Sequence, residues 1–125
     1  MKSLLLNNLD NILYIEKYDK NCCSVYYEDK HIEIYDIDVL KFFKSISKNN
    51  TLRSSKTKYH CPIQIGQSIF SPTKNIKDKD CEFFNLLKVD EQDPYYYNLL
   101  ERKGLLDIAR NRYLKHKENE LYHLY

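Results

Sequence analysis

Three short runs in the first third of the chain alternate apolar and polar side chains with a period of two. Asn11–Tyr18 (NILYIEKY), Cys23–Glu28 (CSVYYE) and His31–Tyr35 (HIEIY) are rich in Ile, Val and Tyr, as strands with one buried face are. In the third run the alternation predicts Ile32 and Ile34 on one face and His31, Glu33 and Tyr35 on the other. Asp19–Asn21 and Glu28–Lys30 are polar turn clusters, so the second and third runs are expected to form a hairpin. The period then changes. Val39, Leu40, Phe43 and Ile46 recur at spacings of three and four, predicting a helix capped by Asp36 or Asp38 and reaching about Ser47. Lys41, Lys44 and Lys48 take the same spacing on another face.

Asn49–Tyr59 (NNTLRSSKTKY) contains no acid and separates the helix from a second predicted hairpin. Its strands are Pro62–Ile65 and Ser68–Phe70, turning at Gly66–Gln67 and ended by Ser71–Thr73. A lysine-rich loop over Lys74–Asp80 leads to Cys81–Val89 (CEFFNLLKV), read as a strongly apolar strand. Asp90–Pro94 is a break, and Tyr95–Tyr97 is either a short strand or a helix start. Asn98–Leu124 is predicted helical, interrupted near Gly104, with Leu99, Leu106, Ala109 and Tyr113 on one face. The pattern amounts to an α+β fold in a single domain, 1–125. Antiparallel β-hairpins flank a basic helix, and a helical extension occupies 95–125.

Composition narrows the function. Twelve tyrosines and 42% hydrophobic residues argue for a packed core rather than a disordered chain. Only two glycines are present, and no Gly-rich phosphate loop, H-E-x-x-H or nucleophile-elbow serine occurs, so a non-catalytic protein is expected. Cys22 and Cys23 are adjacent, as are His60 and Cys61, and no pair has the usual zinc-chelating spacing. Neither metal nor cofactor is therefore expected. The MKSLLLNNLDN start is too short for a signal-peptide core, and no run approaches a membrane span. A cytoplasmic location with reduced thiols and no membrane partner follows as the expectation.

Charge changes the picture most. From Lys41 to Lys79 the chain carries nine basic side chains against the single acid Asp78, a formal +8 within a total of +2. Such a concentration attracts polyanions that the net charge conceals. The block contains Lys41, Lys44, Lys48, Arg53, Lys56, Lys58, Lys74 and Lys77. Asn49, Asn50, Ser54 and Ser55 are interspersed, residue types that bond phosphate oxygens and base edges.

The same block carries a resemblance. Leu40–Ser55 (LKFFKSISKNNTLRSS), Lys58–Ile65 (KYHCPIQI), Ile69–Thr73 (IFSPT) and Cys81–Asn85 (CEFFN) follow in an order that resembles the competence transcription factor ComK family, over roughly residues 12–89. The family's Phe-Pro-Thr turn stands here as Phe70-Ser71-Pro72-Thr73, one residue longer, and the tryptophan expected after the cysteine is lacking. The resemblance implies an activator that binds paired A·T-rich duplex sites as a homo-oligomer, controls competence-type genes and contacts RNA polymerase. A narrow, electronegative A·T minor groove favours an inserted arginine, which assigns that role to Arg53. Phosphate contacts would then fall to Lys41, Lys44, Lys48, Lys56 and Lys58, with Lys74 and Lys77 beside them, and neutral hydrogen bonds to the two asparagines and two serines. Two other readings stand next to this one. They are a LytTR-like DNA-binding module, from ILYIE and its following hairpin, and a protein-interaction module whose basic face meets an acidic partner.

Overall fold

A computed structural model of the chain describes residues 9–46 and 63–123, with side chains as far as 119. The predicted residues Lys48, Asn49, Asn50, Arg53, Ser54, Ser55, Lys56 and Lys58 lie outside the described residues. The fold is α+β, as the pattern predicts. Two compact units follow one another, 1–85 and 86–125.

The first unit is built on a six-stranded antiparallel sheet. Its strands are β1 (Ile12–Asp19), β2 (Cys22–Tyr27), β3 (Ile32–Tyr35), β4 (Ile63–Ile65), β5 (Ser68–Pro72) and β6 (Phe83–Asn85), in the spatial order β3-β2-β1-β6-β5-β4. Two meanders thus join at their inner strands, where Tyr14 opposes Phe84 and Ile15 opposes Phe83. The chain leaves the sheet at β3 on one edge and returns at β4 on the other. At about 4.8 Å per strand the connection must cross roughly 24 Å. Helix α1 (Val39–Ile46) begins that crossing.

Local chemistry accounts for the turns and the helix start. The Lys30 N–H donates to the Tyr27 carbonyl at 2.9 Å, the Tyr27 N–H to the His31 carbonyl at 3.1 Å, and Lys30 has φ 76°. This is a three-residue hairpin loop ending in a left-handed residue, one of the favoured hairpin connections. Gly66, at φ 62°, turns β4 into β5, a conformation glycine adopts without a Cβ penalty. Asp38 caps α1, its carboxylate accepting from the Lys41 N–H at 2.8 Å, which satisfies one of the unpaired donors of the first turn.

One face of the sheet and one face of α1 form the core. Val39, Phe42, Phe43 and Ile46 are buried against Ile15, Cys23, Val25, Phe70 and Phe83. The Phe43 ring stacks on Phe83 with centroids 3.9 Å apart and meets Phe70 edge-on at 5.9 Å. Such aromatic pairs add about 0.5–1.5 kcal/mol beyond the area they bury.

Three sequence expectations are corrected. The buried helix face includes Phe42, while Leu40 is only partly buried. Strand β5 runs through Ser71 and Pro72, because Ser71 pairs with Phe84 and Pro72 with Phe83. The apolar run Cys81–Val89 contains a strand of only three residues. After Asn85 the chain turns into a 3-10 helix over Leu87–Glu91, closed by Gln92 in the left-handed region at φ 55°.

The second unit adds α2 (Pro94–Arg102) and α3 (Leu106–His123). Asp93 caps α2 by accepting from the Tyr95 N–H at 3.3 Å, and Pro94 occupies the first helical position, where its missing N–H costs nothing. Tyr95–Tyr97 therefore opens a helix. Gly104, at φ 72°, makes the predicted interruption before α3. Tyr96, Leu99, Leu100 and Ala109 are the unit's most buried helical side chains, whereas Ile108 and Leu114 are exposed.

Candidate nucleic-acid interface

The described part of the basic block falls on two segments of the first unit. On α1, burial of the Phe42/Phe43 face turns Lys41 and Lys44 outward, and both are exposed. The second segment is the loop from β5 to β6. Its base is closed by a reciprocal pair: the Thr73 N–H donates to the Glu82 carbonyl at 2.9 Å, and the Glu82 N–H to Thr73 Oγ1 at 3.0 Å. Inside the loop Asn75 Oδ1 accepts from the Lys77 N–H and Asp78 Oδ1 from the Asp80 N–H. Ile76 packs into the core that α1 covers. Loop and helix thus belong to the layer over the same sheet face, and Lys74, Lys77 and Lys79 are exposed on it.

Three acids around this layer are engaged. Asp38 caps α1 and Asp78 caps its own turn. Asp80 pairs with Lys17, Nζ to Oδ1 at 2.8 Å. That hydrogen bond raises the Lys17 pKa and lowers that of Asp80. Among the described residues Lys41, Lys74 and Lys77 make no ion pair. Of the twelve side chains predicted to meet DNA, the structure brings four onto this layer: Lys41, Lys44, Lys74 and Lys77.

Sequence reasoning missed a second polar constellation, at the β2–β3 hairpin on the same sheet face. His31 Nδ1 lies 2.5 Å from Asp29 Oδ1, and its Nε2 lies 3.0 Å from Glu33 Oε2. The imidazole stacks on the Tyr27 ring, centroids 4.3 Å apart and planes 4° from parallel. Glu33 Oε1 accepts from the Tyr27 hydroxyl at 2.9 Å and also from the Tyr35 hydroxyl. Hydrogen bonds to Asp29 and then Glu33 raise the His31 pKa. The bonds from His31 lower that of Asp29, and hydrogen bonds from Tyr35, His31 and Tyr27 lower that of Glu33 against its desolvation. Burial pushes the Tyr27 phenol up, and Tyr35 up to about 12. The cluster is an imidazole held between two carboxylates, with two phenols bonded to one of them. The alternation of His31, Glu33 and Tyr35 was its sequence signal; Tyr27 and Asp29 enter only through the hairpin register.

On the opposite sheet face two glutamates tie strands together. Glu16 Oε1 accepts from Ser24 Oγ at 2.9 Å and Tyr26 OH at 2.7 Å, and Glu82 accepts from Tyr14 OH at 2.6 Å and the Lys17 N–H at 2.9 Å. The thiols of Cys22, Cys23 and Cys81 are unpaired. Burial raises the pKa of each and takes Cys23 to about 12, which disfavours the reactive thiolate. Among the described residues no three His, Cys, Asp or Glu side chains gather to hold a metal ion, and no helix is long and apolar enough to cross a membrane. Comparison with protein-family models, with curated proteins and with solved structures found no match for this chain.

Proposed function

We propose that this chain is a ComK-like DNA-binding transcriptional regulator that engages A·T-rich duplex through its basic layer. One observation carries the reading. The positive charge is concentrated on α1, the β5–β6 loop and the sequence between α1 and β4, while Asp38, Asp78 and Asp80 are committed to caps and to Lys17. Four exposed lysines on one layer suit phosphate contacts, which set position and orientation. Sequence preference is assigned to Arg53, by insertion into a narrow minor groove. Regulation of competence-type genes, an oligomeric state and contact with RNA polymerase belong to the same proposal and rest on the resemblance alone.

The test is a fluorescence-anisotropy titration on A·T-rich and G·C-rich duplexes over a range of salt. Log affinity is expected to fall linearly with log salt, by about 0.9 for each phosphate neutralised. Arg53→Ala is expected to reduce the preference for the A·T-rich duplex. No binding to either duplex at low salt overturns the proposal.

A further inference from the structure

The geometry points to a second copy of this chain as the occupant of the free edge of β3, pairing antiparallel about a two-fold axis at Glu33. The edge is open. Among the described residues β3 pairs only with β2, through Tyr26–Ile32, Val25–Glu33, Ser24–Ile34 and Cys23–Tyr35. The hydrogen bond from the Tyr27 N–H to the His31 carbonyl sets the phase of the ladder. Hydrogen-bonded positions alternate, so Glu33 and Tyr35 bond inward to β2 while Ile32 and Ile34 turn their backbone groups away from it.

The side chains of those two residues are also unsatisfied. Ile32 is 48% and Ile34 53% exposed, two β-branched apolar groups at the positions where an added strand would pair. Natural edges are usually guarded by lysine, proline or a bulge within the strand. Strand β3, Ile-Glu-Ile-Tyr, has none of these; its guards are its four-residue length and the core-side charge of Glu33, which His31, Tyr27 and Tyr35 engage within the copy.

Charge selects the occupant. The strand is bracketed by exposed Lys30 at its start and exposed Asp36 at its end. With the axis at Glu33, Ile32 of each copy lies opposite Ile34 of the other, and Lys30 lies beside Asp36 of the other. This register pairs both isoleucines and both charges twice. Glu33 meets its own counterpart across the axis, and within each copy its carboxylate is already held by His31 Nε2 at 3.0 Å and by the Tyr27 and Tyr35 hydroxyls. The strand is thus complementary to itself, and two sheets would join into one. A four-residue edge is a small interface, so association is expected in the micromolar range, roughly 1–100 µM.

Sedimentation equilibrium of the full chain without nucleic acid tests this, independently of the DNA reading. The native chain is expected to show a monomer–dimer equilibrium in that range. Ile34→Lys and Lys30→Glu are each expected to weaken it about tenfold or more, which corresponds to 1.4 kcal/mol, with an unchanged far-UV circular dichroism spectrum. Asp36→Lys alone should weaken it likewise. Mixing the Lys30→Glu and Asp36→Lys chains should restore the dimer, because each supplies the charge the other now needs. A native chain that is monomeric throughout the range, an Ile34→Lys chain that dimerises as the native one does, or a mixture that stays monomeric overturns the inference.

Discussion

The position of His31 between two carboxylates has a consequence for pH. Its raised pKa means that its contribution to stability is fully present below the ordinary histidine value and is lost as pH rises through the raised one. Asp29 and Glu33 are lowered, so their contribution is present above ordinary carboxylate values and is lost as pH falls through the depressed ones. The hairpin is therefore expected to be most stable between about pH 4.5 and 6.5. Because His31 is 44% exposed, the effect is of surface ion-pair size, about 0.2–1 kcal/mol. His31→Ala should flatten the decline of the urea midpoint as pH rises above the ordinary histidine value of about 6.5; an unchanged slope would place the titration elsewhere. Deeper in the core, Phe43 is fully buried against Phe70 and Phe83. Phe43→Ala should cost about 3–5 kcal/mol, measurable by urea denaturation. Phe43 was legible as a core residue from its spacing. Its stacking partner lies 40 positions away in sequence, and no local pattern reports that.

Elements were most legible where side chains advertise a backbone state. Asp38 before the first apolar turn of α1, the Gly66–Gln67 turn and the interruption at Gly104 all stand where the sequence indicates. Asp38→Ala should lower stability by about 0.5–2 kcal/mol through loss of its bond to the Lys41 N–H, with a smaller loss for Asp38→Asn, which keeps an acceptor. Denaturation midpoints of the two variants check this. The run Cys81–Val89 misled because its apolar residues fall on both faces of a strand. Period cannot distinguish a buried strand from a buried helical turn when both faces are apolar, and here the chain is strand to Asn85 and 3-10 helix from Leu87. Ser71 and Pro72 misled in the other direction. Proline usually ends a ladder, yet Pro72 opposes Phe83 at the last position of β5, where one absent N–H is tolerated.

At the scale of the molecule, the uneven distribution of charge governs the expected association with DNA. Lys41→Ala and Lys44→Ala should each weaken binding to A·T-rich and G·C-rich duplexes alike and reduce the salt slope by about 0.9. An unchanged slope in both variants would move the phosphate contacts away from α1. The candidate site was legible as a charge count, since a block with nine basic residues and one acid needs no fold to be seen. Its division between a helix face and a loop was not. Ile76 decides that division, by anchoring the loop into the core beneath α1.

The sequence by itself determined the fold class, the hairpins, the helix cap and the concentration of positive charge, because each is written in neighbouring residues. Tertiary structure alone decided which side of an edge strand with two competing faces turns inward. Strand β3 is the clearest instance. Alternation separates Ile32 and Ile34 from Glu33 and Tyr35, and hydrophobicity would bury the isoleucines. Register against β2 instead sets Glu33 beside Val25 and Tyr35 beside Cys23, on the face under α1. The carboxylate is accommodated there because Tyr27, Tyr35 and His31 satisfy it. The isoleucines are left on the outside of an edge strand. A half-exposed carboxylate on a core-facing side is tolerated when its partners are supplied; His31 and Tyr35 stand two positions away in the same alternation, and Tyr27 comes from across the hairpin, beyond the reach of any local pattern.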